Sequence, residues 1–312
     1  LAWLAKLAVS CIASGSTKSK LCQNIANIPS QEAMVTVSSD YRHHLPTAED
    51  LPHSDDTPVD NELQNDIPNM LLHILRDIWA DRDDWFWAVD MGFYYELNTE
   101  VAENSKCIIP DGFLALGVPR NTGEWGRLSY VLWQEQVVPI LALEIVSKKY
   151  NDEYTTKFQT YQELGILYYV IFDVRPPLRK AREHQLFEVY KLINGKYELQ
   201  PTVALIQLGV QFGVQTEVQA ASGKMVWIPE IGLGIGCERN LHENWHREWL
   251  YWFDRDGMRY PTATERALEE RQARLGAEAI AQRETLIAQQ ERQKNEKLTA
   301  YLKSININPD QI

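Results

Sequence analysis

Apolar and polar positions along this chain recur with two periods, and the shift between them outlines the fold. From Glu62 to Asp81 the apolar residues Leu63, Ile67, Leu71, Ile74, Leu75 and Ile78 recur at helical spacing, which predicts a helix. Pro68 falls inside it, so the first turn bends there or the helix begins there. Trp85 to Tyr95 is aromatic and alternating, the mark of a strand, with Asp83 and Asp84 in the turn before it. Cys107 to Gly117 reads as the next strand. Val137 to Val146 is almost continuously apolar, as in a strand buried on both faces. A helical pattern from Asp152 to Leu164 ends at Gly165, which suits a C-terminal cap, and Ile166 to Phe172 follows as strand.

Beyond Arg175-Pro176-Pro177 the pattern becomes antiparallel β. Leu186 to Ile193, the Asn194-Gly195 pair and Tyr197 to Leu199 form a hairpin signature. Met225 to Ile235 is a further strand region, and the Trp-rich stretch from Leu241 to Phe253 is expected as a short helix. Thr262 to Lys303 is helical, but its apolar positions (Leu268, Leu275, Leu286, Leu298 and Leu302) are sparse and Gln289 to Lys297 is wholly polar. That pattern predicts a solvated helix, at most a weak coiled coil. Tyr41 to Asp60 is rich in Pro, Asp and His and reads as loop. The first twelve residues make a weak signal peptide without a basic start, and Met34 is read as the natural beginning. The expected organisation is a leader and loop over 1–60, a main domain over 61–257 and a polar helix over 258–312. No repeats are visible.

Composition narrows the class. Hydrophobic residues make up 45% and charged residues 24%, which is globular, and ten Trp with fourteen Tyr supply large anchors. The net charge of −12 and pI near 5.1 exclude a broadly basic surface, while leaving room for a local basic cleft. Cys11, Cys22, Cys107 and Cys237 show no CxxC spacing, so reduced thiols in a cytoplasmic protein are expected rather than a disulfide framework. No apolar run approaches the roughly 18 residues of a membrane span, so no membrane partner is expected.

The candidate chemistry lies between Pro110 and Asp173. Asp111 and Glu144 each sit on or beside an apolar run, and an unpaired buried carboxylate costs several kcal/mol. Lys157, on the helix between two of the strands, is a natural partner. Two carboxylates can hold a hard divalent cation through oxygen, and a lysine can orient an attacking water or offset developing charge. The same three residues also suit a structural ion pair at a sheet end, and spacing alone does not choose.

The ordered run Pro110-Asp111, Pro139 with Glu144-Ile145-Val146-Ser147, Asp152, Lys157, Tyr161, Gly165-Ile166, and Tyr169 with Asp173 resembles the Uma-two family. That family, formerly a domain of unknown function, belongs to the PD-(D/E)XK nuclease superfamily. The likeness covers roughly Glu62 to Asp173, and Trp249 to Asp254, Asp256-Gly257 and Pro261-Thr262 before the polar helix resemble the tail of many members. The resemblance implies an α/β fold of restriction-endonuclease type: a mixed central sheet flanked by helices, β-rich C-terminal additions and a long trailing helix. It implies Mg²⁺- or Mn²⁺-dependent hydrolysis of DNA, with Asp111 and Glu144 on the metal and Lys157 assisting the water, and it suggests a homodimer. One departure stands out: Val146 occupies the position two residues after Glu144 where the superfamily carries its lysine. The lysine is carried over instead to Lys157, which shares a helix face with Tyr161 at i,i+4 spacing; Lys148 and Lys149 are nearer rivals in a turn. Glu62 is a candidate additional ligand, or a favourable charge at a helix start. The alternative within the same fold is an inactive nucleic-acid-binding or structural protein.

A second motif competes. His242-Glu243-Asn244-Trp245-His246 is a literal H-E-x-x-H, which on a helix would place two imidazoles on one face for zinc with the glutamate as base, the site of a metalloprotease. No third ligand is obvious, since Glu265 and Glu269 lie beyond Pro261. His43-His44 reads as loop, and Trp245, Trp249 and Trp252 as a packing face.

Overall fold

The computed structural model describes residues 45–52, 61–148, 152–175, 184–205, 210–211, 214–215 and 223–305. The chain divides into two units, Leu1–Pro46 and Thr47–Ile312, and every element named here belongs to the second. Met34, the His43-His44 pair, Cys11, Cys22 and Lys149 lie outside the described residues.

Helix α1 (Leu63–Ile78) buries Leu63, Ile67, Leu71, Ile74 and Leu75 of the predicted stripe together with Met70, while Ile78 is half-buried. It runs through Pro68, whose carbonyl accepts the Trp87 indole N–H at 3.1 Å. The expected strand from Trp85 to Tyr95 is two strands, β1 (Trp85–Val89) and β2 (Phe93–Glu96), because Asp90 takes φ +47° and breaks the extended run. The apolar run from Cys107 is likewise divided between β3 (Lys106–Ile108) and β4 (Gly112–Leu116), with Pro110 at the break, where a missing N–H does no harm. The chain continues through β5 (Tyr130–Val131), a short α2 (Leu132–Glu135) and β6 (Leu141–Val146). Helix α3 (Thr156–Leu164) is shorter than expected, with 152–155 forming a turn, and Gly165 caps it at φ +79°. Strands β7 (Tyr168–Asp173), β8 (Phe187–Ile193) and β9 (Lys196–Leu199) follow, the last two joined by Asn194 and Gly195 at φ +51° and +78°. Then come β10 (Val203–Leu205), β11 (Val210–Gln211), β12 (Val214–Gln215), β13 (Gly223–Ile228), β14 (Leu233–His242), β15 (Trp245–Phe253) and α4 (Ala263–Ser304).

Six strands form a mixed central sheet in the order β1-β4-β6-β7-β8-β9. Within this sheet, among the described residues, only β6 and β7 pair in parallel, and α3 is the crossover that parallel pairing requires. Strand alternation sorts the side chains to two faces. Trp87, Leu114, Leu143, Val170 and Val189 join one apolar cluster with α1 and the antiparallel β10-β13-β14-β15 sheet. Ala88, Phe113, Ala142, Val146, Tyr169 and Ile171 join another with Tyr161 of α3 and with Phe93 and Tyr130 of the small β3-β2-β5 sheet. Glu144 lies between Ala142 and Val146 in this alternation. Its carboxylate therefore faces the α3 layer.

The expected helix over Leu241 to Phe253 is instead the β14–β15 hairpin. Its two turn residues, Glu243 and Asn244, take φ +49° and +63°, and His242 pairs with Trp245. The expected Trp face is divided by the strand: Trp249 and Trp252 are both buried but alternate to opposite sides, and Trp245 is exposed. Trp252 donates to the Leu71 carbonyl at 3.1 Å and meets Trp87 edge-on at 5.8 Å. Helix α4 begins with a capping box between Thr262 and Glu265 and buries none of its residues, which makes it the solvated helix its composition predicts. Arg259 clamps Glu265 at 2.7 and 2.8 Å, and Arg266 pairs with Asp77. Among the described residues no helix is long and apolar enough to cross a membrane.

Candidate active site

Gly112 of β4 pairs with Leu143 of β6, so the antiparallel register places Asp111 opposite Glu144. Asp111 sits just before β4, where Pro110 ends the preceding segment, and is 8% exposed. One carboxylate oxygen accepts the Ile145 backbone N–H at 2.6 Å, tying Asp111 to the residue after Glu144. The other is approached by the Gln64 amide of α1 at 3.4 Å.

Glu144 is 2% exposed and answered on both oxygens. Lys157 Nζ donates to Oε2 at 2.8 Å and the Tyr161 hydroxyl to Oε1 at 2.6 Å. Both donors come from α3 one turn apart, as i,i+4 spacing requires. Lys157 also donates to the Ile109 carbonyl at 2.9 Å, which joins α3 to the segment carrying Asp111. The row continues across the sheet, Ile171 opposite Glu144 and Glu188 opposite Ile171. Glu188 is satisfied by the Tyr154 and Tyr190 hydroxyls and the Gln185 backbone N–H, each at 2.9 Å, and acts as a structural tie.

The electrostatics follow from burial and proximity. Burial pushes the Asp111 carboxyl well above the usual carboxylate range, and the like charge of Glu144 adds to it, against Lys157 and the Ile145 amide. Burial also raises Glu144, opposed by Lys157 and Tyr161. For Lys157, burial alone would lower the ammonium, but Glu144 and Asp111 outweigh it and hold it above the ordinary lysine value. Two buried carboxylates thus share one ammonium, which favours the ionised form of Glu144 and leaves Asp111 the harder of the two to ionise.

A protein-family comparison bears on this arrangement. The model of the Uma2 family, described as putative restriction endonuclease, matches residues 55–219, more than half of the chain. The chain belongs to the Uma2 family. No curated protein and no solved structure matches it. The restriction-endonuclease-like mixed sheet with its flanking helices is therefore the fold of this Uma2 chain, and Asp111, Glu144, Lys157 and Tyr161 all fall within the matched region.

In this Uma2 chain not every candidate joins the group. Glu62 stands exposed at the N-cap of α1, where its charge acts on Asp66 and Arg247. The α1 side chain that reaches Asp111 is Gln64, which sequence reasoning missed because nothing local marks which residue of the first turn overhangs the sheet end. Lys148 is exposed in the turn after β6. Asp173, the last residue of the family-like run, is fully buried and clamped by Arg175 at 2.7 and 2.8 Å, a structural pair. The zinc alternative loses its geometry: His242 ends one strand and His246 lies on the next, paired with Leu241, so no helical face presents both. Among the described residues no group of three or more His, Cys, Asp or Glu side chains is arranged to hold a metal. A divalent cation at Asp111 and Glu144 would have two carboxylate ligands from side chains, with water or backbone oxygens completing its shell. The oxygen-only donors fit a hard cation, whose charge would favour the ionised forms of both carboxyls.

Proposed function

We propose that this Uma2 protein is a divalent-metal-dependent endonuclease that hydrolyses DNA phosphodiester bonds, with Asp111, Glu144 and Lys157 as its catalytic residues. The observation that carries the reading is the register neighbourhood of two buried carboxylates, tied through the Ile145 amide and sharing one lysine. The Glu144–Lys157 ion pair is complete without Asp111, whose burial beside a like charge is unfavourable. Asp111 and Glu144 are the residues that would hold Mg²⁺ or Mn²⁺, which when bound supplies Lewis acidity and neutralises charge on the phosphate.

The residues' own roles follow from their partners. The Ile145 amide and Gln64 orient Asp111, and Tyr161 fixes the rotamer of Glu144. Lys157, held as an ammonium above its ordinary pKa, donates hydrogen bonds; it orients water and offsets negative charge rather than taking a proton. The net charge of −12 favours a second reading, an inactive nucleic-acid-binding or structural protein of the same fold, because DNA must approach an acidic molecule. Plasmid nicking with Mg²⁺ or Mn²⁺ separates the two: the proposal expects cleavage by the wild type and its loss in Asp111→Ala and Glu144→Ala.

A further inference from the structure

The surroundings of the Lys157 ammonium are those of a small cation site. Its Nζ is 2.8 Å from a carboxylate oxygen of Glu144 and 2.9 Å from the Ile109 carbonyl oxygen, and the Asp111 carboxylate is near enough to act on it. A carboxylate oxygen, a backbone carbonyl and a second carboxylate are the ligand types that hard divalent cations take. Ile109 and Asp111 flank Pro110, so the carbonyl and the second carboxylate come from one short segment. The lysine is also the more exposed member of the group: its side chain is 26% exposed, against 3% for Glu144. A flexible aliphatic stem lets the ammonium move toward solvent while the carboxylates stay fixed by the sheet.

We infer that Lys157 is a tethered counter-ion standing where a divalent cation would bind, so that lysine and cation compete for Glu144. In the metal-free protein the ammonium pairs with Glu144 and supports its ionised form beside Asp111. A cation held by Glu144 would displace the ammonium, whose partly exposed side chain could then turn toward solvent. Lysine release and cation loading are then one event. The inference rests on the reading of Asp111 and Glu144 as a cation-binding pair, but it requires no cleavage.

The test is Mn²⁺ binding without DNA, by titration calorimetry and by the Mn²⁺-induced rise in thermal midpoint, on wild type, Lys157→Met, Lys157→Gln, Lys157→Arg and Glu144→Gln. Competition predicts that Lys157→Met binds Mn²⁺ on the order of tenfold or more tightly than wild type, because a like charge is removed from beside the ion. Lys157→Gln keeps hydrogen-bond donors for Glu144 and the Ile109 carbonyl, so it reports the same gain if the methionine variant fails to fold. Lys157→Arg stays near wild type. Unchanged or weaker binding in the methionine and glutamine variants, with binding lost in Glu144→Gln, overturns the competition and leaves the cation pair standing. Binding that Glu144→Gln leaves intact, or no binding by any protein, overturns the pair itself and the competition with it.

Discussion

Replacing Tyr161 by phenylalanine removes one hydroxyl and leaves the ring packed against Tyr169, whose centroid lies 5.0 Å away. The hydroxyl donates at 2.6 Å to a carboxylate that is 2% exposed, and Tyr161 itself is 0% exposed, so water has no route to take its place. A hydrogen bond to a charged group contributes about 1.5–3 kcal/mol, and stranding a buried carboxylate oxygen costs a similar amount. Tyr161→Phe should therefore lose about 2 kcal/mol near neutral pH, or roughly 4–8 °C in thermal midpoint for a folded unit of this size. The sign of the pH dependence follows from Glu144. The hydroxyl favours the ionised carboxylate, so its removal raises a group that burial has already raised. As pH falls and Glu144 protonates in both proteins, the difference shrinks. Urea unfolding followed by tryptophan fluorescence, with chelator present, measures the loss. In a Glu144→Gln background the same substitution should cost at most about 0.5–1 kcal/mol, giving a coupling of about 1–2 kcal/mol. A Tyr161→Phe protein within about 0.5 kcal/mol of wild type, or an equal loss in both backgrounds, would show that Tyr161 does not hold Glu144.

Two further outcomes test the frame around the site. Trp252→Ala removes a fully buried side chain that meets Trp87 and bonds the Leu71 carbonyl, and should cost about 3–5 kcal/mol by thermal or urea unfolding; a loss under about 1 kcal/mol would mean that the β15 sheet does not share the core with α1. Glu265, which burial alone would raise, is held down to about 2 by Arg259 and Thr262. Its contribution is present above its ordinary value of 4.5 and fades as pH falls toward 2, so the gap between wild type and Glu265→Gln, about 1–2 kcal/mol after discounting for solvent, should close over that interval. A gap independent of pH would show that the carboxylate's charge does not anchor α4.

The features legible in the sequence were those written into local periodicity. The α1 stripe, the β6 run, α3 with its Gly165 cap and the Asn194-Gly195 hairpin each declare themselves within a few residues. Lys157 and Tyr161 could be placed on one face because helical spacing dictates it, and the structure brings both onto Glu144. What stayed hidden depended on distant parts of the chain. Asp90 at positive φ, and the division of strands at Pro110, are decided by which sheet each half joins. The Asp111–Glu144 register needs the pairing of β4 with β6, and the reach of Gln64 needs the position of α1 over the sheet end. The H-E-x-x-H stretch misled because a residue spacing was read as helical where Asn244 closes a two-residue turn and the flanking aromatics favour strand.

The most direct test of the central claim is the rate of supercoiled-plasmid nicking by purified wild-type, Asp111→Ala and Glu144→Ala proteins, each with Mg²⁺, with Mn²⁺ and with chelator. The account predicts metal-dependent nicking by the wild type, abolished by chelator and reduced by about two orders of magnitude or more in both variants. Nicking of equal rate by all three proteins, or a folded wild type that leaves the plasmid intact with either cation, would contradict it.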